Sequence, residues 1–162
     1  MNWKDFKLLA ACVLLCEFAG VVGSVFTFQS IPTWYAGLVK PSFTPPSWVF
    51  GPAWTILYAL MGAALFLVWR ERKNKEKKAD VKPALVVFGI QLALNALWSI
   101  LFFGLKAPAL AFYEIIVLWI SIIASIVFFL RVSRRAAYLL VPYFFWVSFA
   151  ATLNFYVWIL NP

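Results

Sequence analysis

Residues 48–82 read WVFGPAWTILYALMGAALFLVWRERKNKEKKADVK. No charged residue interrupts the run from Trp48 to Trp69, and seven of the chain's fourteen Lys and Arg then fall between Arg70 and Lys82. A run of this length matches the roughly 20 residues that cross a hydrocarbon core of about 30 Å. Working outward, four more such segments can be marked, at about 8–28, 83–103, 109–130 and 136–160. In lipid the backbone must satisfy its own hydrogen bonds, so each is expected to be a helix. The expectation is an all-α integral membrane protein, a single five-transmembrane-helix bundle over residues 1–162, with residues 29–47 left as a loop.

Composition agrees. Of 162 residues, 65% are hydrophobic, 20% aromatic and only 12% charged, too few charges to coat a soluble domain. The nine tryptophans suit bilayer interfaces and aromatic-lined pockets. A net charge of +8 would suggest nucleic acid if it were spread out, but it is concentrated in one loop. Lys4 and Lys7 before the first segment resemble the start of a signal peptide, yet Glu17 interrupts the apolar centre, which favours a retained helix. Cys12 and Cys16 read as packing residues, and the absence of histidine removes the commonest metal ligand and general base, so no metal site is expected.

Five crossings alternate the connections between two sides. One side collects Lys4, Lys7, the 70–82 cations, Arg131, Arg134 and Arg135, and the other has Lys40 and Lys106. By the positive-inside bias the N-terminus is expected in the cytoplasm, with the C-terminus and the 29–47 loop outside. The same bias accounts for the charged loop without a nucleic-acid or phosphoinositide site.

Between the first two helices, KPSFTPPSWVFGPAW (40–54) gathers Pro41, Pro45, Pro46 and Pro52 beside large aromatics. Such prolines stiffen a connection, and Pro52 is expected in the first turn of the second helix. Helical spacing then places Trp54 with Tyr58, Gln91 with Asn95, Trp98 and Phe102, and Trp146 with Ala150, Leu153 and Asn154. Spacing alone fits ordinary helix packing as well as an aromatic-walled cavity for a flat apolar ligand. Asn95 and Asn154 should face the bundle interior. Glu17 is either a packing residue or functional, and Glu114 either reaches the interface or faces a pocket. Gly20 with Ser24, and Gly89 with Ala93, are small-residue pairs that allow close helix contact, weak support for a homodimer.

WYAGLVKPSFTPPSWVFGPAWTILYALMG (34–62), QLALNALWSILFFG (91–104) and LLVPYFFWVSFAATLN (139–154) resemble the translocator protein family. Its members are also called TspO, tryptophan-rich sensory protein or peripheral-type benzodiazepine receptor. The resemblance runs from about Gly20 to the C-terminus. It implies a five-helix membrane receptor or sensor, often a homodimer, that binds porphyrins or haem and benzodiazepine-type ligands, and sterols in animals, with a link to transport or stress signalling. No cofactor is required.

Carried over, the ligand site would use Trp34, Tyr35 and Pro41 from the loop, Trp54 and Tyr58, then Gln91, Asn95 and Trp98, then Trp146, Ala150 and Leu153. Some members degrade protoporphyrin in light. In that alternative Trp54 and Trp146 would be the catalytic residues. Tyr156 is followed by no cation, which departs from the family's sterol pattern, and Glu114 replaces a common Asp. The short end after the last helix points to a microbial membrane. Lys40 and Lys106 are the two cations available on the loop side for porphyrin propionates.

Overall fold

The structure, a computed structural model, describes residues 2–162. Helix α1 spans Trp3–Ser30, and the Asn2 side chain caps it by accepting from the Asp5 amide at 2.8 Å. It starts ahead of the apolar run, so Lys4 and Lys7 lie on its first turns. Helix α2 is Phe50–Arg70, with Pro52 in its first turn, where no intrahelical donor is missed. Helix α3 is Lys78–Ser99 and passes into a wide π-type turn over Ile100–Gly104.

The start of α3 differs from the sequence expectation. Pro83 lies inside the helix, and Lys78 to Lys82 are helical rather than loop. A proline so near the start forfeits one bond, to the Ala79 carbonyl at the exposed end, which water can satisfy.

Helix α4 runs Pro108–Val132, entered through Lys106 at φ 54. The fifth apolar segment is two pieces, α5 (Arg134–Leu139) and α6 (Val141–Leu160). Pro142 explains the break, because its ring excludes a continuous turn onto the Tyr138 carbonyl. Counted together, five helical spans among the described residues are long and apolar enough to cross a membrane. The chain is an integral, multi-pass membrane protein.

Helix α1 packs between α2 and α3, α4 between α3 and α6, and α5 closes against α2 and α4. At the charged end the core is tight. Ala64, Val68, Ala84, Ala136 and Ala137 are fully buried there, and Phe88 stacks on Phe129 at 5.4 Å. Gly62 lets α1 and α2 touch: a Cβ there would stand 2.5 Å from Val13 Cα and 2.9 Å from the Cys12 carbonyl. Tight burial of this kind leaves the opposite end to hold a cavity.

Candidate functional site

Beneath the connection between α1 and α2 lies a cavity of about 500 Å³. From α2 it takes Trp54 and Tyr58, whose rings stack at 5.5 Å. From α6 it takes Trp146, Ala150, Leu153 and Asn154. Trp146 meets Trp54 edge to face at 6.4 Å, and its Nε1 has no partner among the described residues. From α3 and the π-type turn after it come Trp98 and Phe102, stacked at 5.1 Å. The Trp98 Nε1 donates to Asn154 Oδ1 at 2.9 Å, and Asn154 Nδ2 donates to the Pro108 carbonyl at 2.8 Å. One amide thereby fixes α3, α4 and α6 at the cavity wall.

The remaining wall is α1, through Glu17, Gly20, Ser24 and Phe28 among others. Sequence spacing did not assign this wall, because α1 is apolar on nearly every side and has no periodic stripe. Gly20 was a visible signal. A side chain there would collide with the Tyr58 ring, so the glycine serves a close helix contact inside the bundle. Glu17 lines the cavity half-buried. Glu114 does not line it. It is buried in α4, and neither carboxyl oxygen has a partner among the described residues.

The floor is polar. The Tyr58 hydroxyl donates to Asn95 Oδ1, and Asn95 Nδ2 donates to the Tyr143 hydroxyl at 2.9 Å. Asn95 therefore supports the cavity from below rather than lining it. Gln91, one turn deeper, is buried outside the cavity with both amide atoms unpartnered among the described residues. Trp34 also stands behind the wall, packed edge-on against Phe102 at 5.6 Å, whereas Tyr35 lines the cavity itself. Burial pushes the Tyr35 phenol above its ordinary value, which keeps it a neutral wall. Pro41 lies in the loop, where its carbonyl accepts from the Thr44 amide at 3.0 Å and the Thr44 hydroxyl at 2.7 Å.

The loop is tied down at several points. Asn161 accepts from the Val39 amide and donates to the Val39 carbonyl, both at 2.9 Å. Phe43 packs edge-on against Tyr156 at 5.4 Å. The Lys40 ammonium donates to the carbonyls of Tyr35, Leu38 and Ala36 at 2.8, 2.9 and 3.4 Å, so it holds the turn rather than facing the cavity. Asn161 and its partner are separated by 122 residues, and no periodicity announces such a contact.

The TspO/MBR family model matches residues 12–159. The chain belongs to this family. It is 45% identical over 163 residues to the tryptophan-rich protein TspO of Chlorobaculum tepidum, covering 98% of this chain and 99% of that one. It is 42% identical to the human translocator protein, covering 85% of this chain and 80% of that one. The tryptophan-rich sensory protein of Cereibacter sphaeroides is 35% identical, covering 99% of this chain and 94% of that one. Within the TspO/MBR family, this chain's wall of Trp54, Trp98 and Trp146 is contributed by three different helices.

Proposed function

We propose that this protein is a membrane receptor or sensor that binds a flat tetrapyrrole, porphyrin or haem, in the cavity beneath its first loop. The observation that carries this reading is a cavity of about 500 Å³ walled by Trp54, Trp98 and Trp146 and covered by a tied loop. Ring stacking contributes roughly 0.5–1.5 kcal/mol per aromatic pair beyond burial. No Lys or Arg lines the cavity among the described residues, so the propionates of the ligand point to the mouth, where water solvates them. The chain has no imidazole, so a haem would be held by its rings and not through a histidine on its iron. The same wall suits benzodiazepine-type ligands, and occupancy would serve transport or stress signalling.

The names of two relatives, a translocator protein and a tryptophan-rich sensory protein, support a receptor or sensor. The charge asymmetry supports the N-terminus in the cytoplasm, with the loop and C-terminus on the other side of the membrane. A homodimer would use Gly89 and Ala93, which stay exposed on α3.

The adjacency of Trp54 and Trp146 favours a second reading, light-dependent degradation of protoporphyrin. In that reading a light-excited ring would take an electron from one of these indoles, and the reduced ring would add dioxygen. An electron would return to the indole radical, so that the net change is oxygenation of the ring by dioxygen. Titrating the purified protein with protoporphyrin in the dark should give saturable quenching, weakened about fivefold in Trp54→Phe. Unsaturable quenching, insensitive to the substitution, would refute the binding site. New absorbing products under illumination that vanish in Trp54→Phe or Trp146→Phe would select the enzyme over the receptor.

A further inference from the structure

At the charged end, Arg72, Lys78 and Lys82 line a second concavity of about 390 Å³ together with Val81, Leu85 and Val86. Lys78 and Lys82 are four apart and share one face of α3, and Leu85 and Val86 follow on the next turn toward the bilayer. Arg72 is oriented from the other side. Its guanidinium stands over the Trp69 ring, 4.8 Å from the centroid, and donates to the Trp69 carbonyl at 3.0 Å.

No carboxylate belongs to this wall. Glu71, the acid beside Arg72 in sequence, is engaged by Lys77 at 3.5 Å and by Asn74 Nδ2 at 3.1 Å. Asp80 is two residues from each lysine and so projects from another side of α3. Three cations therefore converge without an acidic partner over an apolar strip, and Val86 and Ile90 continue that strip exposed toward lipid. The positive-inside bias places cations at this end but does not require them to converge.

We propose that this concavity binds the phosphate of an anionic phospholipid, with an acyl chain lying along Leu85 and Val86. A guanidinium fork flanked by two ammonium groups suits a tetrahedral oxyanion. The apolar floor immediately below distinguishes a lipid from a soluble anion, because a free phosphate gains nothing from Leu85 and Val86. Basic concavities at the ends of membrane helices are suited to anionic head groups for this reason.

The full chain in nanodiscs of phosphatidylglycerol and phosphatidylcholine, released into detergent and weighed by native mass spectrometry, tests the site. Preferential retention of phosphatidylglycerol is expected. Lys82→Gln should weaken it about fivefold, and joint replacement of Arg72, Lys78 and Lys82 by Gln by about 100-fold. Replacing Lys75, Arg134 and Arg135 by Gln removes the same charge from the same end and should leave retention unchanged. These six side chains are exposed, so folding is preserved in both variants. Equal losses in the two variants, equal retention of phosphatidylcholine, or displacement of the lipid by inorganic phosphate alone would each overturn the proposal.

Discussion

The two ends of the bundle use the same helices to opposite purposes. At the charged end, alanine and valine (Ala64, Val68, Ala84, Ala137) are fully buried and the helices meet closely. At the loop end, tryptophans are only partly buried, because their rings face a cavity. Small residues close one half and broad residues prop open the other. Between them lies the hydrogen-bonded layer of Tyr58, Asn95 and Tyr143. Close packing gives one half its rigidity, and that rigidity lets the other half keep a void that would otherwise collapse.

The largest expected effect falls on the closed half. Gly62→Val would drive α1 from α2 against backbone atoms, and a loss of about 3 kcal/mol or more is expected in thermal melts in detergent. Gly37→Val, in the loop at the open end where nothing lies within 4 Å, should melt close to the parent. If both variants melt alike, the contrast between the halves fails. Next comes the layer between them. Asn95→Leu strands two buried tyrosine hydroxyls and should cost about 2–3 kcal/mol, partly recovered by adding Tyr58→Phe.

Effects on the open half should appear in ligand binding rather than melting. Trp146→Phe is expected to weaken protoporphyrin binding about fivefold with little change in melting temperature. A large drop in melting temperature would mean that this wall is ordinary core. The smallest effect concerns the loop. Asn161→Ala removes both contacts to Val39, and protoporphyrin release, followed by stopped-flow, should quicken by a few-fold. Unchanged release would show that the other loop contacts suffice.

The membrane fold was legible because each helix had to be apolar along about 20 residues, and the charges marked where the helices end. The ends themselves were less legible. Lys78 to Lys82 are charged yet helical, since a helix continues past the hydrocarbon, and hydropathy reports the solvent rather than the backbone. The break at Pro142 was hidden because apolar residues run straight through it.

For the cavity, spacing grouped Trp54 with Tyr58 and Trp146 with Ala150 and Leu153, and those side chains meet around the void. Spacing does not give depth within a face, so Asn95 and Gln91 lie beneath the void although they share a stripe with Trp98. Trp34 and Pro41 sit in a loop, where no period exists to say which way a residue faces. Glu17 and its neighbours on α1 had no polar face to mark them.

The arrangement around Lys40 has a consequence for how the loop keeps its shape. Three carbonyl oxygens converge on its ammonium, and the ring of Tyr35 lies 4.8 Å away, a coordination sphere in which the cation is covalently tethered to its own ligands. A free ion would leave such a sphere by dilution, but this one cannot diffuse away. The turn therefore carries its own cation, held on its carbonyl dipoles by the covalent stem of the side chain rather than drawn from solution. Acylation of that one amine would remove the charge and empty the sphere in a single step.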